Sequence, residues 1–385
     1  MSAGYNLHWR LSRFYFFYYF FVGTFVPYWG IYLQSQNFSL VNIGILLSLF
    51  QISRIFAPNF WGWLADHTGY RVKWIKLTSL LGLISFIGIF WAKGFFWIFL
   101  IMSALSLFTS STLPLAESLT LAHLANTNGH YSRIRLWGSI GFIVASLLLG
   151  YLINLQGIDI LLWALLIAQA IIFFLSNTIP ETQEIHHKKK DVSIWEIIKK
   201  PSVAALLIGC ILMVSAHGVL YNFYSIYLKE HGYSTGTIGW LWAIGVICEI
   251  LIFIWMPKIL LRYSLKVILL MSLLLGVIRF ILIGAFPDHL YLLLIAQMLH
   301  AATFGSFHVA SIEVFAYYFK GRNQARGQAI YNSVAYGIGG TIGGLGGGYL
   351  IEYLGGQHGF MIAAISPLVG FLVIWFGLKL EVRGE

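Results

Sequence analysis

Apolar stretches long enough to cross a bilayer follow one another twelve times along this chain of 385 residues, and that succession ties it to a membrane. A spanning helix needs roughly 20 consecutive, mostly apolar residues. Runs bounded by charge, Gly/Pro or polar clusters predict helices at 11–34, 41–65, 74–92, 95–121, 134–155 and 160–178. After a polar stretch come 203–228, 236–257, 266–286, 289–318, 328–352 and 358–380. Several connections are so short that consecutive helices must be antiparallel neighbours. Charged residues make up only 10% of the chain, against the quarter or so that covers a soluble domain, so most of the outer surface must meet something other than water. The expected fold is all-α: twelve transmembrane helices in two pseudo-symmetric six-helix bundles, residues 1–178 and 203–385, joined by a linker at 179–202.

The net charge of +10 does not point to nucleic acid, because the basic residues fall in short clusters at every second connection instead of on one folded face. With the N-terminus placed in the cytoplasm, the cytoplasmic segments hold Arg10 and Arg13; Arg71, Lys73 and Lys76; and Arg133 and Arg135. The central linker adds Lys188, Lys189, Lys190, Lys199 and Lys200. Later connections add Lys258, Arg262, Lys266, Lys320, Arg322 and Arg326, and the tail Lys379 and Arg383. These are 20 of the 24 Lys and Arg; Lys93 and Lys229 fall on the other side, and Arg54 and Arg279 lie within helices. By the positive-inside rule both termini are cytoplasmic, and an odd helix count would scramble the alternation. The first apolar run is too long for a cleavable signal, so it stays as helix 1. Cys210 and Cys248 sit in apolar stretches, which excludes a disulfide framework and a Cys-based metal site. The linker's His186 and His187 beside the lysines read as a solvated stretch, with a short amphipathic helix near Trp195 to Ile198 at the membrane surface.

The two halves can be laid on each other. Tyr28-Trp-Gly-Ile-Tyr-Leu33 matches Phe223-Tyr-Ser-Ile-Tyr-Leu228 at an offset of 195, Phe38-Ser39 then falls on Tyr233-Ser234, and Ile43-Gly44 on Ile238-Gly239. Gly150-Tyr-Leu-Ile153 matches Gly348-Tyr-Leu-Ile351 with the offset drifted to 198. A six-helix unit repeated in the same orientation is the architecture of major-facilitator-type transporters, whose similar halves can rock about a central site. At the 195 offset Arg54 in helix 2 coincides with Glu249 in helix 8, each about halfway along its helix. A charge at the centre of a spanning helix costs roughly 2.5 to 3.5 kcal/mol, so each is expected to face the protein interior and to have a partner.

Three acids lie inside helices: Glu117, Glu249 and Glu313. The bases there are Arg54 and Arg279, with Arg133 and Arg135 at the mouth of helix 5. A desolvated carboxylate can carry a proton near neutral pH, and a nearby Arg opposes this, so moving that Arg or a substrate anion would take up and release a proton. Glu249 is the deepest acid, with Gly245 and Trp242 one and two turns back on its face. Glu117 could equally pair with Arg133 or Arg135 to lock helices 4 and 5, Glu313 could close one end of helix 10, and Arg279 could be a buried counter-ion. His300 and His308 lie on helix 10, and His217 is followed by Tyr221 and Tyr224 along helix 7, a polar and aromatic face; helix 1 offers Tyr28 and Tyr32. The glycine run from Gly337 to Gly348 is a close-approach surface and not a nucleotide loop, since no Lys-Ser/Thr follows it. No Walker, HExxH, GxSxG or paired-Cys signature is present, so neither ATP-driven transport nor an intramembrane enzyme is expected, and no cofactor is implied.

At the end of helix 2 stands Gly62-Trp-Leu-Ala-Asp66-His-Thr-Gly69-Tyr-Arg71, which resembles the loop 2–3 signature of the major facilitator superfamily, a cytoplasmic latch. His67 and Tyr70 depart from its basic positions, and the equivalent loop from Pro257 to Lys266 keeps only basic character. Within the superfamily the chain resembles the 3-phenylpropionate permease group, neighbours of lactose-permease-type proton symporters. The likeness is sharpest at Arg135-Leu-Trp-Gly-Ser139, from Gly232 through Trp242 to Glu249, and at His300 with His308. The resemblance implies that Glu117, Arg135, Glu249, Arg279, His308 and Glu313 correspond to working charged positions, although His308 and Glu313 are five apart and share no helical face. It implies an inner-membrane symporter, functional as a monomer and driven by the proton gradient, that imports a small carboxylate-bearing or aromatic solute by alternating access. Arg54, Arg135, His217, Tyr221, Tyr28, Trp242 and His300 would shape the substrate site, and Glu249, Glu313, Glu117, Arg279 and His308 would couple the proton. The rivals are a sugar or nucleoside symporter, a drug-type exporter and a membrane sensor; mid-membrane arginines favour an anion over a cationic drug, and helix 5 lacks the proline of an exporter signature.

Overall fold

The computed structural model describes residues 2–124, 130–182, 194–320 and 323–379, so His186, His187, Lys188, Lys189, Lys190, Arg322 and Arg383 lie outside the described residues. Every one of the twelve apolar segments is helical: α1 (Ser2–Ser35), α2 (Leu40–Thr68), α3 (Arg71–Phe90), α4 (Gly94–Leu124), α5 (Tyr131–Gln156) and α6 (Ile160–Ser176). The second series is α7 (Pro201–Glu230), α8 (Thr235–Arg262), α9 (Leu265–Ala285), α10 (Leu290–Tyr318), α11 (323–354) and α12 (Gly356–Gly377). A short helix, Ile194–Ile198, lies where the linker was expected to have one. Among the described residues nine helices are long and apolar enough to cross a membrane, and α6 is a shorter apolar helix. α1 and α11 carry more polar residues; α1 begins well before its apolar run because helical propensity does not stop where hydropathy does.

The chain divides into two compact units, Met1–His186 with Leu228–Ala243, and His187–Tyr227 with Ile244–Glu385. In the first, α1 packs on α5 and α6, α3 on α4 and α6, and α2 on α4. In the second, α9 packs on α10 and α12, and α11 on α12. Side chains four apart on α2, Ser53, Ala57, Trp61 and Ala65, form its buried face, and Ser53 shares a 2.8 Å hydrogen bond with Ser106 of α4.

The repeat seen in the sequence is drawn again in the backbone. Ser39 Oγ accepts from Asn42 N–H (3.2 Å) to cap α2, and Ser234 Oγ accepts from Thr237 N–H (3.1 Å) to cap α8. The residues two before each cap, Asn37 and Gly232, both take the left-handed conformation at φ 62° and 81°. Where α1 crosses α5, a Cβ on Gly23 would stand 2.6 Å from the Phe142 carbonyl oxygen; where α7 crosses α11, a Cβ on Gly218 would stand 2.9 Å from that of Gly340. The glycine-rich run of α11 therefore does let two helix backbones touch.

One departure from the expected geometry decides the site. α10 and α11 are not uninterrupted α-helices: residues Ala301–Ser306 and Asn332–Gly339 form π-helical turns. A π turn closes i→i+5, so it changes which side chains share a face.

Candidate functional site

The second unit encloses a guanidinium. Arg279 on α9 is fully buried. Its Nη1 donates toward His217 Nε2 of α7 (3.1 Å), and toward His300 Nδ1 (3.0 Å) and Thr303 Oγ1 (3.0 Å), both of α10. Its Nη2 donates to Gln297 Oε1, also of α10 (3.3 Å). All four partners are neutral acceptors, and Arg279 forms no ion pair with a described residue. Its Nε and the Gln297 amide nitrogen are buried without a partner among the described residues. Gly245 on α8 makes room: a Cβ there would lie 3.4 Å from Gln297 Oε1 and 3.6 Å from the His300 ring.

These contacts settle where the histidine protons are. His217 Nδ1 lies 2.9 Å from the Met213 carbonyl, an acceptor only, so the proton is on Nδ1 and Nε2 is free to accept from Arg279. His300 Nδ1 faces Arg279, so its proton sits on Nε2, which points to Glu249 Oε2 of α8 at 3.5 Å. A continuous line therefore runs from the Glu249 carboxylate through the His300 imidazole to the Arg279 guanidinium. Tyr221 stands beside both imidazoles, its ring 5.7 Å from His217 and 6.5 Å from His300.

The π turns extend this line into a wall. On α10 the rings of His300 and Phe304 stack at 5.2 Å and 12°, and those of Phe304 and His308 at 5.8 Å and 2°. On α11, Tyr331 and Tyr336 are five residues apart, which is one π turn, and both hydroxyls meet His308 Nδ1, at 3.0 and 3.2 Å. A small cavity opens between His217, Tyr221, Thr303, Phe304, His308 and the two tyrosines.

The first unit has its own charged group. Tyr131 of α5 donates to Glu117 Oε1 of α4 (3.0 Å), and Arg135 one turn further lies within electrostatic reach of that carboxylate. The Arg135 guanidinium is held over the Tyr19 ring at 4.0 Å. Glu117 thus meets α5 through the Tyr131 hydroxyl, where an ion pair with Arg133 or Arg135 was one of the two expectations. The Tyr18 hydroxyl sits amid Tyr19, Arg54, Glu117 and Arg135.

Arg54 is exposed on α2 and makes no hydrogen bond or ion pair with a described residue, but it lies within electrostatic reach of the Tyr18 hydroxyl. The neighbouring positions Ser53 and Ala57 take the buried face, and Arg54 is turned about 100° away from it. Glu313 is exposed at the far end of α10 and joins neither group; the five-residue spacing from His308 carries it off the line. Tyr28 is buried and donates to the Ser146 carbonyl of α5, with Gly150 and Gly239 leaving room for its hydroxyl. Trp242 is buried against Phe142, 6.3 Å ring to ring. Both are packing residues of the first unit. In the loop 2–3 sequence, Gly69 ends α2 at φ 72° with its N–H on the Ala65 carbonyl (2.9 Å), Asp66 pairs with Arg71 at 3.5 Å, and a Cβ on Gly62 would meet nothing.

Sequence reasoning missed Gln297, Thr303, Tyr131, Tyr18, Tyr331 and Tyr336. Gln297, His300 and Thr303 recur every three residues in an apolar helix, a polar stripe that could have been read. Tyr331 and Tyr336 could not, because five apart is the wrong spacing for an α-helical face.

The chain is similar to known proteins along nearly its whole length. Residues 8–362 match the MFS_1 like family. The chain is 31% identical over 360 residues to the "Probable 3-phenylpropionic acid transporter" of Escherichia coli (strain K12), covering 92% of this chain and 93% of that one. It is 25% identical over 372 residues to the "Maltose permease" of Geobacillus stearothermophilus, covering 96% and 94%. Among solved structures, a mutant form of the nucleoside transporter NupG superposes with a TM-score of 0.86 at 20% identity, over 97% of this chain and all of that one. With twelve helices in two related bundles, a match along nearly its whole length and relatives that are transporters, the chain belongs to the MFS_1 like family of major facilitator transporters and is a multi-pass secondary transporter of small molecules.

Proposed function

We propose that the protein is a proton-coupled symporter importing a small carboxylate-bearing, aromatic solute by alternating access. It would do so as a monomer in the inner membrane, with both termini in the cytoplasm. The observation that carries this reading is the Glu249–His300–Arg279 line. With Glu249 ionised, its charge and that of Arg279 cancel. With Glu249 protonated, the group holds one uncompensated positive charge in a low-dielectric interior, a state that an anion relieves. The buried Nε of Arg279 and amide nitrogen of Gln297 are donors such an anion could take. Proton and carboxylate would then enter together. Arg54 supports the same reading: a mid-helix guanidinium is too costly to present to lipid, so it lines a water-filled route and draws anions along it. The named substrate of the E. coli relative has this chemistry.

The test is uptake into vesicles. Glu249→Gln keeps the size and the contact with His300, and is expected to retain solute exchange while losing accumulation driven by a pH gradient. Full gradient-driven accumulation by this variant would end the assignment. A second reading, a neutral-solute symporter for a nucleoside or sugar, is favoured by the likeness to NupG and to the maltose permease. A thermal-shift screen of the purified protein against aromatic acids, nucleosides and sugars separates the two: stabilisation by aromatic acids alone supports the first.

A further inference from the structure

A groove on the first unit, where α3 begins, is lined by Tyr70, Lys73, Lys76, Leu77, Leu80 and Phe173. Its two ends differ in chemistry. Lys73 and Lys76 stand within the first two turns of α3, at the membrane face, and Tyr70 just before them is largely exposed. Leu77, Leu80 and Phe173 lie further along, toward the hydrocarbon. Lys73 to Leu80 spans two helical turns, about 10 Å at 1.5 Å per residue, the reach of a phosphate and the upper part of an acyl chain.

The charges in the groove are unequally engaged. Glu181, the acid on its rim, accepts from the backbone N–H of Arg71 through Oε1 (3.2 Å) and of Val72 through Oε2 (2.9 Å). Both its oxygens therefore cap the N-terminus of α3, which Tyr70 does not cap with its side chain. Asp66 is paired with Arg71. Neither lysine has a hydrogen bond or ion pair among the described residues; Lys73 only overlies the Trp74 ring at 5.6 Å. The rim thus offers two cations above an apolar trough, and Glu181 and Asp66, described acids near the start of α3, are already engaged.

We propose that this groove between α3 and α6 binds one anionic phospholipid, its phosphate between Lys73 and Lys76 and an acyl chain along Leu77, Leu80 and Phe173. The lysines supply preference over a zwitterionic lipid of about 30-fold, the equivalent of about 1 kcal/mol for each cation at a membrane surface. The trough supplies the preference for a lipid over free phosphate.

The test is native mass spectrometry of the full chain released from neutral-lipid nanodiscs, titrated with phosphatidylglycerol, phosphatidylcholine or inorganic phosphate. One phosphatidylglycerol is expected to be retained about 30-fold more tightly than phosphatidylcholine. Lys73→Gln with Lys76→Gln should erase that difference, and Lys258→Gln, a basic residue outside the groove, should leave it. Leu80→Trp should weaken retention of phosphatidylglycerol by filling the trough. Equal retention of the two lipids by the wild type, unchanged retention by the double variant, or displacement of the lipid by millimolar inorganic phosphate would each overturn the proposal.

Discussion

Membrane voltage tests the charge assignment of the site more sharply than pH does. Arg279 is buried with neutral acceptors only, and the nearest acid joined to it, Glu249, is reached through His300. Under the proposed coupling, one proton on Glu249 and one monocarboxylate beside Arg279 add no net charge, so the wild-type transport cycle is expected to be electroneutral. In vesicles clamped with potassium and valinomycin, wild-type accumulation is expected to follow the pH gradient, about tenfold per unit, and to ignore the potential. Glu249→Gln fixes the site in its proton-loaded charge state. Any net flux through it then carries one negative charge. An elementary charge moved through 100 mV is worth about 2.3 kcal/mol, which is about a 50-fold concentration ratio. The variant should therefore exchange solute, lose its response to pH, and accumulate toward that ratio when the interior is positive. Wild-type accumulation driven by an inside-negative potential would refute the reasoning, because it would mean that a neutral solute travels with the proton.

Other consequences follow from the packing and the hydrogen bonds. Arg279→Met strands His217 Nε2, His300 Nδ1 and Gln297 Oε1 at about 1–3 kcal/mol each, but removes a buried ion whose desolvation costs several kcal/mol. Thermal melting is expected to shift by only a few degrees while uptake disappears; loss of folding would place Arg279 among structural residues. Gly339→Ala puts a Cβ 2.7 Å from the Ile211 carbonyl oxygen and should cost about 1–3 kcal/mol in melting experiments. Gly346→Ala on the same helix meets nothing within 4 Å and should stabilise by about 0.5–1 kcal/mol. Tyr331→Phe and Tyr336→Phe should each cost about 1 kcal/mol, and a double-mutant cycle should show coupling, since both hydroxyls share His308 Nδ1.

Hydropathy and charge alternation made the twelve helices legible, because both record the bilayer directly and neither depends on tertiary contacts. The repeat was legible for the same reason that it persists: Ser39 and Ser234 cap equivalent helices, and Gly23 and Gly218 allow equivalent crossings, so these positions tolerate little else. Individual charges were legible as charges but not as partners. Arg279, Glu249, His217 and His300 do meet, whereas Arg54, given an interior partner by the same reasoning, is exposed and reaches only the Tyr18 hydroxyl electrostatically. A mid-helix position fixes depth along the membrane normal; it leaves open the azimuth, which depends on how the helix packs. Tyr28 illustrates the converse, an aromatic on a promising face whose hydroxyl is taken by a carbonyl of α5.

The offset between the halves holds the reason why the site is asymmetric. It is 195 from α1 through the start of α8, and 198 by the end of α11, so the second half has gained three residues in between. A π turn accommodates one more residue than an α turn, and the second half has two of them, in α10 and α11, where α4 and α5 run as uninterrupted α-helices. Two π turns have room for two of the three added residues inside helices without breaking them. An added residue absorbed in this way is taken up within the wider turn, so side chains in that turn are re-aimed while the helix beyond it keeps its face and its crossing. In α11 the turn brings Tyr331 and Tyr336 onto one acceptor, while in α10 His300, Phe304 and His308 remain in a single stack. The glycine crossing at the end of the turn, Gly339 against α7, still matches Gly141 against α1. The second half could therefore acquire a polar, hydrogen-bonded site around Arg279 while keeping the packing surfaces that make it a copy of the first.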